Sequence, residues 1–316
     1  MDEHKPDPGF LHEVSAYQLA HVTKTPPQYE VISPRWVTRL LDWKELKSGV
    51  FRLNKVKEGE TLLDILCSLQ DASVIPETSF DYAPDPREYT LNSISTVLKV
   101  NTRLSDVYKE PFDQTKEQLR LSIESMKERQ ESLLINSPDY GLLVNGAKTQ
   151  RIKTRTGPPT PDDLDSLIER VWKEPSFFLA HPSAVAAFGR ECTLRGVPPV
   201  VIEMFGSPFI TWRGIPIVPT DKLLVDGKRR PQGPNGKTNI LLVRTGEKKQ
   251  GVIGLYQGGL QGEQSRGLSA KYMGIDKEGY ASYLLSLYCS AAVLVDDALG
   301  VLEDVEIGVY HDEKYA

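Results

Sequence analysis

The stretch Asp113–Asn136 reads DQTKEQLRLSIESMKERQESLLIN, the longest unbroken helical pattern in a chain of 316 residues. Leu119, Ile123, Met126 and Leu133 fall on one face, with Gln130 as the one polar interruption, while Glu, Lys, Arg and Gln fill the other. Such a stripe predicts an amphipathic rod of roughly 35 Å that must lie on a sheet or on another helix. Asp113, following Pro111, supplies an N-cap. Asn136-Ser137-Pro138 ends the rod, because proline keeps its predecessor out of helical geometry. Strand-like and turn-rich segments lie on both sides, so the expected class is α+β, organised on this spine.

Composition narrows the alternatives. Forty per cent hydrophobic residues suffice for a core, and this length makes one large domain or two ordinary ones. A net charge of −5 gives no electrostatic case for nucleic acid. No apolar run approaches the roughly 18 residues of a membrane span. The start, MDEHKPDPGF, is polar and acidic, unlike a secretory signal. Cys67, Cys192 and Cys289 are far apart and odd in number, which predicts free thiols in a reducing cytoplasm.

Taken in order, residues 1–32 read as an arm broken by Pro6, Pro8, Pro26 and Pro27, with Val14, Tyr17 and Leu19 as apolar anchors. Two readings stand: a frayed terminus, or an arm lying on a neighbouring subunit. Ser33-Pro34 opens a helix expected to bury Trp36, Val37, Leu40, Leu41 and Trp43 or Leu46 and to stop at Gly49. Val50–Val56 and Tyr89–Val100 read as strands flanking an irregular tip, a projection that needs something beneath it. Residues 145–159 form a loop with Lys148, Arg151, Lys153 and Arg155. Thr160-Pro161-Asp162-Asp163 is a strong helix start, with Leu164, Leu167, Ile168, Val171 and Trp172 expected inside. Phe177–Ala180 is a strand, and Pro182 starts a helix that buries Ala184, Val185, Phe188 and Leu194 and stops at Gly196. Arg213-Gly214 turns a hairpin within Phe209–Pro219, and Thr238–Thr245 with Gly251–Gln257 are expected to pair. The spacing of Tyr280, Tyr283, Leu284, Leu287, Tyr288 and Ala291 fits a helix or a strand.

Little of this carries chemistry. Gly236-Lys237-Thr238 lacks the glycine of a phosphate loop, because Pro231 stands in its place, and a strand follows it. No dinucleotide fingerprint or nucleophile elbow occurs. His4, His12, His21, His181 and His311 are scattered without metal-ligand spacing. His181, at a strand-to-helix junction, reads as a satisfied polar residue. Asp296-Asp297 and Glu303-Asp304 read as turns or solvated edges. No catalytic, cofactor or metal residue is assigned. The one compact basic cluster is Lys228, Arg229 and Arg230 in the loop Asp226–Gly236, a solvated loop or an anion-attracting mouth.

Several segments together are similar to one family. ISPRWVTRLLDW, PREYTLNSISTVLKVNTRLSDVY, LRLSIESMKERQESLLINSPDYGLL, PTPDDLDSLIERVWKEPSFFLAHP, AAFGRECTLRGVPPV and TWRGIPIVPTDK follow one another as in the major capsid proteins of tailed phages, the Hong Kong 97 fold. More closely they resemble the family 2 encapsulins, subgroup 2A, which includes the sulfur-regulated shell protein and the mycobacterial major membrane protein I. The likeness runs from about Val31 to the end. It implies a shell subunit and not an enzyme. It implies an N-terminal arm and helix over 1–49, an extended loop over 50–100, and a peripheral domain with the spine over 101–196. An axial domain over 197–270 and a return to the peripheral domain over 271–316 complete the division, with strand around 281–295. It also implies about sixty copies in an icosahedral shell, with a cysteine desulfurase as cargo and a role in sulfur storage. The interval 57–88 is too short for the cyclic-nucleotide domain that some members insert there. Lys228, Arg229 and Arg230 would then stand near a five-fold opening. The alternative within the same fold is a phage or prophage capsid protein.

Overall fold

A computed structural model describes residues 33–55, 81–102, 114–229, 233 and 235–311. The arm, the tip of the 50–100 interval, Asp113, Cys67 and Arg230 therefore lie outside the described residues. The elements run α1 (Trp36–Leu40), β1 (Asp42–Leu46), β2 (Val50–Leu53), β3 (Arg87–Thr90), β4 (Asn92–Asn101), α2 (Gln114–Asn136), α3 (Leu142–Asn145), β5 (Arg151–Lys153) and α4 (Pro161–Arg170). There follow β6 (Phe177–Ala180), α5 (Pro182–Leu194), β7 (Val200–Met204), β8 (Ser207–Trp212), β9 (Ile215–Pro219), β10 (Lys237–Val243) and β11 (Val252–Gln257). The last are β12 (Glu263–Ser265), β13 (Leu268–Ile275), β14 (Tyr280–Val293) and β15 (Leu299–Glu306).

Two sheets make the body. One has seven strands in the order β5-β15-β10-β6-β9-β8-β7. Its central strands are apolar on both faces, as strands covered on both sides must be. Phe178, Ala180, Ile240, Leu242 and Leu302 face α4 and α5. Their alternating neighbours Phe177, Leu179, Leu241, Val243 and Val301 pack with Trp36, Leu134 and Ile135 from α1 and the end of α2. The other sheet has six strands, β1-β11-β14-β13-β12 with β4 on β14. Leu119, Ile123 and Met126 of α2 lie on its Leu268, Leu285, Leu287 and Cys289. The spine is therefore a real helix of 23 residues that serves both sheets. Its buried face runs past Leu133 to Leu134 and Ile135, and takes in Gln130 and Glu131 as well.

The start of α4 follows the sequence expectation. Thr160 Oγ1 accepts from the Asp163 amide while the Asp163 carboxylate accepts from the Thr160 amide, with Pro161 in the first turn. The hairpin at Arg213-Gly214 forms too, with both residues at positive φ as a tight two-residue turn demands. Tyr280–Val293 is strand, because it lies between β4 on one side and β13 and β11 on the other.

Three expectations are corrected. The helix predicted from Ser33 to Gly49 is only the five residues of α1. Leu41 is extended, and Asp42–Leu46 leaves as β1 to pair in parallel with β11, where Trp43 covers Gly254. Sheet pairing outweighs local helix preference here. Thr238–Thr245 and Gly251–Gln257 do not form a hairpin: β10 lies in the seven-stranded sheet and β11 in the six-stranded one, joined by a single bridge at Thr245 and Val252. Trp172 is 69% exposed, because the helix ends at Arg170 and the chain turns away after Val171. Within 50–100, β2 and β3 pair with each other, while β4 joins β14 on the body.

Replacing Thr160 with alanine removes the hydroxyl half of a capping box that is buried and fully satisfied. The expected cost is about 1 kcal/mol, read as a lower guanidinium midpoint. An unchanged midpoint would mean the cap contributes nothing to stability.

Candidate functional site

Two residues of the predicted basic cluster, Lys228 and Arg229, end the segment Thr220–Arg229, which leaves β9 and turns over the last half of α2. Lys222 is its anchor, with a side chain that has no solvent exposure. Its Nζ lies 2.6 Å from Glu128 Oε2, 2.6 Å from Ser33 Oγ and 3.0 Å from Asp221 Oδ1. Ser33 Oγ also donates to Asp221 Oδ1. The network joins Ser33 just before α1, the spine and this segment in one knot around the buried Lys222 ammonium. Burial by itself would raise the Asp221 carboxyl, but the Ser33 hydroxyl, the Lys222 ammonium and the Arg229 guanidinium together hold it below its ordinary value.

Arg229 joins the same knot. Its Nη2 is 2.7 Å from Asp221 Oδ2 and 3.6 Å from Glu128 Oε2, so its charge is turned inward. Lys228 lies exposed, its backbone paired with Val225. Of the three cations predicted for a mouth, then, Lys228 faces solvent and Arg229 is held in an ion pair.

A fully buried carboxylate fixes α1. Glu131 is fully buried, and its two oxygens accept from the amides of Val37 and Thr38 and from the Thr38 hydroxyl. Burial pushes this carboxyl up, against the pull of those hydrogen bonds. A negative group at the first turn of so short a helix satisfies amides that have no intrahelical partner. None of these roles was legible in the sequence: Lys222 in PTDKLL and Glu131 on the spine look like ordinary surface charges.

The remaining candidates are structural. Lys237 is in β10 and pairs with Glu306, so Gly236-Lys237-Thr238 feeds a strand. Asp297 pairs with Lys173 and with the buried Arg244, and Glu303 with Arg151. Cys192 and Cys289 are free and buried. Burial pushes the first thiol up to about 11 and the second up to about 12, so neither is a nucleophile near neutral pH. Among the described residues no His, Cys, Asp and Glu group could hold a metal ion, and no helix is long and apolar enough to cross a membrane.

Some large apolar side chains are left uncovered among the described residues. β7 is the edge of the seven-stranded sheet, and Val200 and Val201, on opposite faces of it, are 68% and 57% exposed. Val197 and Phe205, just before and just after β7, are exposed as well, and the Arg39 guanidinium lies over the Phe205 ring. On β13, in the other sheet, Tyr272, Met273 and Ile275 form a second exposed group. Large apolar side chains left exposed along edge and outer strands suit contact with another chain.

Removing one member of the Lys222 knot strands buried charge. Lys222→Met alone is expected to cost about 3–5 kcal/mol, and Lys222→Met with Glu128→Leu to recover most of it. Chemical denaturation of the two variants decides. Equal losses would mean that a stranded Glu128 carboxylate is not the source of the cost.

The profile of the SrpI-like type 2A encapsulin shell proteins matches residues 50–309. The type 2A encapsulin shell protein SrpI of Synechococcus elongatus is 57% identical over 305 residues, which are 96% of this chain and 97% of that one. The cryo-EM structure of the holo-SrpI encapsulin complex from that organism superimposes with a TM-score of 0.81 at 54% identity, covering 95% of this chain and 98% of that one. The capsid of an empty GTA particle matches with a TM-score of 0.59 at 12% identity, over 93% of this chain and 99% of that one, a likeness of fold alone. The fold is thus the phage-capsid fold of the Hong Kong 97 type, and the relatives are named as structural shell proteins. The chain belongs to the type 2A encapsulin shell protein family.

Proposed function

We propose that this chain is the repeating wall of a closed icosahedral compartment in the cytoplasm. About sixty copies, one per asymmetric unit of the smallest such shell (T = 1), enclose a cysteine desulfurase and serve sulfur storage. The observation that carries the self-assembly is the pair of exposed apolar groups, one on the β7 edge and one on β13. A single copy leaves both in water, and they belong to different sheets. Two unlike patches suit heterologous contacts, which close into rings when the rotation between copies closes. The holo complex of the 54% identical relative supports the same reading. The cargo assignment rests on the 2A resemblance and on the short interval 57–88, which favours the branch without a nucleotide-binding insertion.

In this reading 197–270, which runs from β7 through β12 to the start of β13, is the axial domain near the symmetry axes. Residues 101–196 and 271–316 make the peripheral body on the spine, and 50–100 is the extended loop, whose β2–β3 ribbon rests on the body through Tyr89 and Phe51. The loop Asp226–Gly236 stands near the five-fold opening. Fivefold repetition of the run Lys228, Arg229 and Arg230 concentrates positive potential there, while Arg229 also holds the loop to Asp221.

Native mass spectrometry of the purified 35.4 kDa chain is expected to give a particle of roughly 2 MDa, and co-expressed cysteine desulfurase is expected to co-elute inside it. A chain that stays monomeric removes the shell reading. Empty particles beside a free desulfurase remove the cargo. Lys228→Ser with Arg230→Ser is expected to slow entry of a small anion into intact particles severalfold. Unchanged entry would take the loop away from the opening.

A further inference from the structure

His181 is only 4% exposed, and both ring nitrogens are engaged by backbone groups from different segments. Nδ1 accepts from the Ser183 amide at 3.2 Å and so caps α5. Nε2 lies 3.2 Å from the Arg229 carbonyl oxygen. An amide can only donate, so Nδ1 must present its lone pair. A carbonyl can only accept, so Nε2 must carry the hydrogen. The backbone thereby selects one neutral tautomer. A second proton can go only onto Nδ1, where it would point at the Ser183 N–H and break the cap.

We propose that His181 is an acid-released latch that ties the start of α5 to the Thr220–Arg229 segment. β6 and β9, which pack beside the ring, carry no charged residue. The charges nearby belong to the segment itself and to the spine. They are Asp221, Lys222 and Arg229 together with Glu128, already locked to one another. Asp226 and Lys228 lie exposed at the turn beyond, and Arg190 and Glu191 sit further along α5. Asp221 keeps its charge through the relevant pH range, because its carboxyl lies below the ordinary value. Burial likewise holds the His181 ring below its ordinary 6.5, against the opposing pull of the Arg229 carbonyl and Asp221. The released ring therefore takes a proton that the latched ring refuses. The latch is intact above about pH 6.5 and is lost as pH falls through the lower value of the latched ring. This inference concerns one subunit and stands independently of the cargo and of the opening.

Hydrogen–deuterium exchange of the full-length particle at pH 7.5 and pH 5.5, corrected for intrinsic exchange, tests it. Peptides covering 181–187 and 220–229 are expected to exchange up to about tenfold faster at the lower pH, because pH 5.5 lies about one unit below the ordinary 6.5 of a released ring, while β10 and β15 stay unchanged. His181→Asn retains a cap acceptor and His181→Gln retains a donor toward Arg229, and neither titrates. Both are expected to lose the pH step. Light scattering at each pH separates the step from particle dissociation, which would raise exchange well beyond these two segments. A wild-type particle with no step, or variants that keep it, would overturn the latch. If neither variant folds, the presence or absence of the wild-type step decides.

Discussion

One helix has to satisfy two sheets at once, and everything else in the subunit is arranged around that demand. The first half of α2 lies with Leu119, Ile123 and Met126 on the six-stranded sheet. Its end drives Leu134 and Ile135 into the seven-stranded one. Where it passes from one to the other, its buried face cannot be wholly apolar, because the entry of the chain and the segment after β9 meet it there. Glu128 and Glu131 answer those two meetings with carboxylates rather than methyl groups. Buried charge is tolerated because each carboxylate finds donors fixed in place: the Lys222 ammonium for one, the first amides of α1 for the other.

This arrangement explains which features could be read from sequence. The spine, the capped α4, the strand Phe177–Ala180 and the Arg213-Gly214 turn rest on local signals: periodicity, a Thr-Pro-Asp-Asp start, a bounded apolar run, residues suited to positive φ. The structure keeps them all. What sequence missed was decided at a distance. Asp42–Leu46 is a strand because β11 offers it an edge, not because DWKEL prefers extension. Gly246–Gly251 looks like a hairpin loop but carries the chain from one sheet to the other. Trp172 continues the apolar spacing of α4, yet the helix stops before it and the ring stays in water, with the Lys173 ammonium 5.6 Å from its centre.

The candidate site was legible in composition and illegible in geometry. Lys228, Arg229 and Arg230 stand out as a basic run, but nothing in that run shows that Arg229 spends its charge on Asp221. Lys222, six residues earlier, has no motif around it and is nevertheless the most buried charge in the knot. The subgroup resemblance, by contrast, rests on word-like matches over most of the chain, and for that reason it anticipated both the fold and the family.

A subunit built this way is finished internally and unfinished at its margins. The core is closed by the spine, while β7, the turn after it and β13 leave Val200, Val201, Phe205, Tyr272, Met273 and Ile275 exposed. The central claim is that further copies of the same chain cover those margins. A cryo-EM map of the purified full-length protein tests it most directly. The account predicts closed particles in which the β7 edge and the β13 group are both buried against neighbouring copies. Closed particles with both groups facing solvent, or a chain that never assembles, would contradict it.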